Sequence, residues 1–175
     1  MNSEKSPGDL IIWTLVDVFI NPDAEGAELY YLLLDTGKGS PLTKDGRIIF
    51  FVDKNKAASV LKKYGSAIKY DEIDIDEPSY SCNIANMLYL LTNEDYDENV
   101  SILCTINTLL DLVYGTAISI PGDKKKILYD LADHFTFSKS ISEYYAKVEL
   151  EPDEVINAIL WCIGAVTVMS TIVDP

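Results

Sequence analysis

Nine carboxylates and a scatter of tyrosines between residues 66 and 99 are the groups in this chain most able to do chemistry. Asp71, Glu72, Asp74, Asp76 and Glu77 form one cluster, and Glu94, Asp95, Asp97 and Glu98 form a second. Against them stands only Lys69, so this stretch carries −8 of the formal −14 of the chain. Oxygen ligands of this kind suit Mg²⁺ or Mn²⁺, and the Asp74-Ile75-Asp76 spacing could serve a metal-dependent hydrolase. Such chemistry would also want a phosphate-holding base or a glycine-rich loop nearby, and Lys69 alone is close. Tyr80 and Tyr96 lie among the acids, and tyrosine offers broad contact area and a hydroxyl at low entropic cost. A protein-binding surface made of Asp71, Glu72, Asp74, Asp76, Glu77, Tyr80, Glu94, Asp95, Tyr96, Asp97 and Glu98 is therefore the expectation.

Other chemistries find less footing. The run TGKGS at residues 36–40 lacks the order of a phosphate-binding loop, and a proline follows it, so a hairpin turn is expected there. No G-x-S-x-G occurs, and the single imidazole, His134, sits in a helical pattern with Leu131 and Phe135. Cys82, Cys104 and Cys162 are widely spaced in apolar helical patterns and read as small core residues of a reducing compartment. No catalytic residue, metal or cofactor is assigned. A pI near 4.3 speaks against nucleic acid as a partner, because phosphate neutralisation needs clustered Lys and Arg. The one basic run, Lys124-Lys125-Lys126, is expected to be a solvated first helical turn.

These groups must be positioned by a fold, and the chain is long enough for one. A domain near 175 residues buries about 70% of the surface its unfolded chain exposes. A single domain over residues 1–175 is expected, with a flexible N-terminus at 1–8, a sheet-containing half at 9–76 and a helical half at 77–175. Residues 10–20 and 29–35 are rich in β-branched, aromatic and leucine side chains, and residues 47–52 follow the Asp45-Gly46 turn; together they predict an antiparallel meander. Asp53 is placed to cap a helix over 54–64, with Ala57, Val60, Leu61 and Tyr64 on one face, and residues 67–75 predict a fourth strand.

Beyond Pro78 the apolar spacing turns helical. Ile84, Met87, Leu88 and Leu91 share a face, as do Ile102, Ile106, Leu109, Leu110 and Val113. A further helix carries Leu128, Leu131, Ala132 and Phe135; Ser140 with Glu143 marks a short one, and Pro152 opens the last. Residues 155–173 contain no charge, but Asn157, Gly164 and Thr167 dilute the run and its flanks are acidic. A buried final helix is expected rather than a membrane span. Strands first and helices afterwards predict an α+β fold.

The run PLTKDGRIIFFVDKNKAASVL at residues 41–61, preceded by IIWTLVDVF and YYLLLD, resembles the opening of small acidic bacterial proteins encoded beside polymorphic or contact-dependent growth-inhibition toxins. The resemblance spans residues 9–65. It implies a cytoplasmic immunity protein, not an enzyme, which binds the basic C-terminal domain of a cognate toxin, often a nuclease. It implies no particular contact residue. The acidic clusters fit that role physically, since negative charge draws in basic surfaces built for phosphate. The other functions considered are the metal-dependent hydrolase and an adaptor or membrane-associated module that docks through the last helix.

Overall fold

The computed structural model describes residues 12–35, 39–65, 73–75, 77–93 and 100–175. The fold is α+β: a mixed sheet with one helix comes first, and a helical half follows. Strand β1 (Ile12–Phe19) runs antiparallel to β2 (Leu29–Asp35), with Val16 opposite Tyr31 and Leu15 opposite Leu32. Six of the eight β1 side chains are apolar because both faces of the sheet are covered. Val16, Val18, Tyr31 and Leu33 point to the helical half, whereas Trp13, Leu15 and Leu32 join a second core on the other face. Burying each large aliphatic side chain contributes ~1.5–3 kcal/mol, which makes this two-sided register hard to slip.

The expected meander is present as β1, β2 and β3 (Ser40–Pro41), so its third member is β3 and not residues 47–52. Pro41 has no amide hydrogen to continue a ladder, and the chain turns a corner at Leu42. There the Leu42 amide donates to the Leu32 carbonyl while the Leu42 carbonyl accepts from Ile49. Strand β4 (Thr43–Lys44) then pairs with β5 (Arg47–Phe50) across Asp45 and Gly46, whose φ values of 52° and 76° fit a two-residue hairpin turn. Asp53 caps the following turn by accepting from the Asn55 amide, and α1 (Ala57–Tyr64) buries Ala57, Val60 and Leu61 against the outer face.

The other edge of β1 receives two short parallel strands, β6 (Ile73–Asp74) and β7 (Tyr80–Asn83). Pro78 interrupts them, and the Ser79 amide resumes the ladder on the Leu15 carbonyl. The helical pattern expected directly after Pro78 therefore starts only at Ile84. The free edge of β1 recruits Tyr80–Asn83 as strand, and Asn83 then caps α2 (Ile84–Thr92) through the Asn86 amide. This also places Cys82 in a strand rather than a helix. Of the expected fourth strand the described part is short; Ile75 is buried in the outer core as its apolar face requires. The N-terminal eight residues lie outside the described residues.

Helix α3 (Val100–Gly115) is the hub, packing against β3, β7, α2, α4 (Gly122–Phe137) and α6 (Pro152–Val168). Its expected core face is fully buried. Lys124, Lys125 and Lys126 occupy the first turn of α4, as expected. Helix α5 (Ile141–Val148) starts at Ser140, and Tyr145 ties it to α2 by donating to the Leu91 carbonyl at 2.9 Å. The uncharged stretch at the C-terminus is not one helix. It stops at Val168, and β8 (Ser170–Ile172) joins β5 in parallel, so the second half of the chain returns to the first. Arg47 secures this return by donating to the carbonyls of Val168 and Ser170. Only one face of α6 is core: Val155, Ile159 and Cys162 are buried while Leu160 and Val168 are exposed. Lack of charge does not require full burial, because much of a protein surface is apolar. No helix among the described residues is long and apolar enough to cross a membrane.

Candidate functional site

Most of the expected acidic surface, Asp71, Glu72, Asp76, Glu94, Asp95, Tyr96, Asp97 and Glu98, lies outside the described residues, and Asp74 is placed only by its pairing with Thr14. Two members can be located. Glu77 is exposed and clasped by Lys54, whose ammonium donates to both carboxylate oxygens at 2.8 and 2.9 Å. Among the described residues no three His, Cys, Asp or Glu side chains stand close enough to hold a metal ion; the Asp74 and Asp76 side chains are not among them.

Tyr80, the second located member, opens onto a groove. From β7 its ring lines one end of a hollow of about 250 Å³ with Cys104, Asn107, Thr108 and Asp111 of α3. Asn107, Asp111 and Gly39 also line a larger hollow of about 720 Å³ that ends at Tyr114 and Tyr129. The two hollows share Gly39, Asn107 and Asp111 and so adjoin along α3 as one groove. Residues 104, 107, 108, 111 and 114 recur every three or four positions and thus share a helix face. Most of the rest of α3 is core, apart from the exposed Val100 at its start and the half-buried Ser101 and Leu103.

Close approach of β3 to α3 shapes the floor. A Cβ on Gly115 would lie 2.3 Å from Pro41 Cγ, and one on Gly39 would lie 2.4 Å from an Asp111 carboxylate oxygen. A side chain at Gly115 would need the Pro41 ring to move, and one at Gly39 would need the Asp111 carboxylate to move. At the far end the hydroxyls of Tyr114 and Tyr129 hydrogen-bond to one another. Partial burial, then this bond, push the Tyr114 hydroxyl up to about 12. Lys125 lies 5.6 Å over the Tyr129 ring, so that ring already attracts a cation. Tyr80, Tyr114 and Tyr129 are each close to half exposed.

Cysteine placement corrects one expectation. Cys82 and Cys162 are core residues, and burial pushes their thiols up to about 12 and about 11. Cys104 is exposed in the groove and not in the core, because it stands on the polar stripe of α3. His134 is more enclosed than a surface helix residue: its Nε2 lies 2.9 Å from the Ser140 carbonyl, bridging α4 to the start of α5.

Of the groove residues, only Tyr80 is among those expected to bind a partner. Asn107, Asp111, Tyr114 and Tyr129 escaped because no local pattern announces a groove. The signal that was present is the spacing of Cys104, Asn107, Thr108, Asp111 and Tyr114, a polar stripe on an otherwise apolar helix. Comparison of the chain with protein-family models, curated proteins and solved structures finds no match.

Proposed function

We propose that this chain is an immunity protein, which binds and neutralises the basic domain of a bacterial toxin in the cytoplasm and performs no chemistry of its own. The observation that carries this reading is the α3 groove. Its described lining offers three half-exposed tyrosines and the Asp111 carboxylate, with Lys125 standing over the Tyr129 ring at one end. In a chain of net charge −14 this is a surface complementary to a basic segment. Long-range attraction would raise association from a neutral ~10⁵–10⁶ M⁻¹s⁻¹ toward ~10⁸–10⁹ at low salt. Charge alone does not select a partner, and the tyrosines supply the desolvated contacts that do. The acidic stretch at 71–77 and 94–98 would add to the steering field.

The immunity reading predicts that a large secreted protein with a basic C-terminal domain is encoded beside this chain, and the test uses that domain. Co-production should protect cells from that domain, and the purified pair should bind more slowly as salt increases. Binding should slow alkylation of Cys104, which faces the groove. Tyr114→Ala should cost about 2 kcal/mol of affinity if the tyrosine is an interface anchor. Neutralising Glu72, Asp74 and Asp76 together should slow association. A neighbouring domain that neither binds nor is neutralised removes the immunity reading. Binding with Cys104 still freely alkylated keeps the function and rejects the groove as its site.

A further inference from the structure

A second cleft, of about 550 Å³, lies between α4, α5 and the start of α6. Its walls are charged: Asp123, Asp130 and Asp133 on α4 and Glu154 on α6 face Lys126 and Lys147, an excess of two carboxylates. An acidic cluster of this kind could be no more than a solvated surface, but here a buried group points the other way. Tyr144 lines the cleft, has no exposed surface, and its hydroxyl has no hydrogen-bond partner. A buried hydroxyl without a partner is unfavourable and rare in folded proteins. Asp130 on α4 and Tyr144 on α5 line this same cleft, so the ring that carries the unpartnered hydroxyl borders the acidic wall. Beside it the His134 ring packs at 5.3 Å, and with Nε2 committed to the Ser140 carbonyl it cannot turn to satisfy Tyr144.

The chemistry of the walls narrows the ligand. An anion would want the N-terminus of α6, but those amides are already capped by the reciprocal Glu151 and Glu154 pair. A simple ammonium would duplicate what is present, since Lys126 already lies 3.3 Å from Asp130. A planar, forked donor can instead bond a carboxylate and a neutral hydroxyl at the same time. We infer that this cleft binds a guanidinium group, held by Asp130 and the Tyr144 hydroxyl with Glu154 across the opening. The guanidinium belongs either to a free small molecule of the arginine type or to an arginine side chain of a protein segment. The inference stands apart from the toxin reading, since neither the cleft nor its test involves the α3 groove.

Calorimetric titration of the full chain with N-acetyl-L-arginine methylamide, free L-arginine and N-acetyl-L-lysine methylamide provides the test. Saturable 1:1 binding of an arginine probe is expected, with the lysine probe clearly weaker. Tyr144→Phe keeps the ring and should fold, and it should weaken arginine binding about tenfold by removing a bond to a charged group. The same substitution should raise the melting temperature of the unliganded protein, because an unsatisfied buried hydroxyl is gone. Asp130→Asn should weaken binding as well. Tighter binding of free arginine than of the blocked probe identifies a small-molecule site, and the reverse order identifies a site for a protein side chain. No saturable binding up to about 10 mM, a very weak limit on the affinity scale, overturns the inference, as does unchanged affinity in Tyr144→Phe.

Discussion

Gly115 is the position at which a single methyl group should disclose how β3 and α3 fit together. Its ideal Cβ would stand 2.3 Å from Cγ and 2.8 Å from Cδ of Pro41, where ordinary carbon contacts settle at roughly 3.5–4.0 Å. More than an ångström of separation must therefore be found. The proline ring cannot swing aside as a lysine tip could; it is buried, and its backbone is paired with Leu33 of β2. The relief has to come from prising β3 off β2 or lifting the last turn of α3. Overpacking of this kind costs about 1–3 kcal/mol. Alanine returns some of that, about 0.4–1 kcal/mol, by narrowing the unfolded ensemble at a residue whose φ is not positive. Gly115→Ala should thus destabilise the protein by about 1–2 kcal/mol. At ~2–4 °C per kcal/mol for a domain of this size, the melting temperature should fall by a few degrees. Urea denaturation gives the free-energy difference, and Pro41→Ala in the same background should recover part of it, which a double-mutant cycle would register as coupling. Gly39→Ala is the contrast: its Cβ meets chiefly the end of the Asp111 side chain, which can rotate, so its cost should be smaller. If Gly115→Ala proves as stable as the parent, the close approach that forms the groove floor is wrong.

Two further substitutions test the interior and the turns. Burial raises the pKa of Asp17, opposed by a hydrogen bond from Ser81, and its Oδ1 has no partner. The unfolded chain therefore releases this proton first as pH rises, so ionisation of Asp17 lowers stability from about pH 4 upward and leaves it unchanged at lower pH. Asp17→Asn should raise the melting temperature at pH 7, and the advantage over the parent should shrink toward zero below pH 4; a constant advantage at every pH would contradict the assignment. Ala117, just past α3, has φ 59°, a left-handed conformation that costs a non-glycine residue about 1–2 kcal/mol. Allowing for the greater unfolded-state entropy of glycine, Ala117→Gly should stabilise by roughly 0.5 kcal/mol or slightly more, readable by urea titration.

Local pattern carried most of the fold. The near-continuous apolar runs of β1 and β2, the Asp45-Gly46 turn, the Asp53, Ser140 and Pro152 helix starts and the inward faces of α3 and α4 all follow from interactions within a few residues. What was not legible depended on partners far away in sequence. Residues 80–83 have no strong strand character and become strand because β1 leaves an edge for them. Residues 170–172 continue an uncharged run that reads as helix, yet they leave it because β5 offers a parallel edge and Arg47 gathers the carbonyls at the end of α6. Helix ends show the same limit. Gly115 looks like a left-handed stop signal, but the left-handed residue is Ala117, and Gly115 is glycine because Pro41 lies against it.

The candidate site divides along the same line. Net charge is additive, so the acidic character of the chain and the kind of partner it favours can be read without a fold. A groove is not additive. Tyr80 and Tyr114 are 34 positions apart, and they border adjoining hollows only because α3 packs on β7 and β3, strands on opposite sides of the β1–β2 pair. Asp111 reads as an ordinary polar residue of an amphipathic helix until β3 is laid beside it, with Gly39 clearing the space its carboxylate fills. Two glycines and a proline brought together by long-range pairing thus turn a polar helix stripe into a concave surface. Burial opposes charge in the groove floor, and it is tyrosine, with a polar tip on an apolar body, that meets both demands at the rim. Substituting these tyrosines should therefore change what the surface binds far more than it changes the fold that presents it.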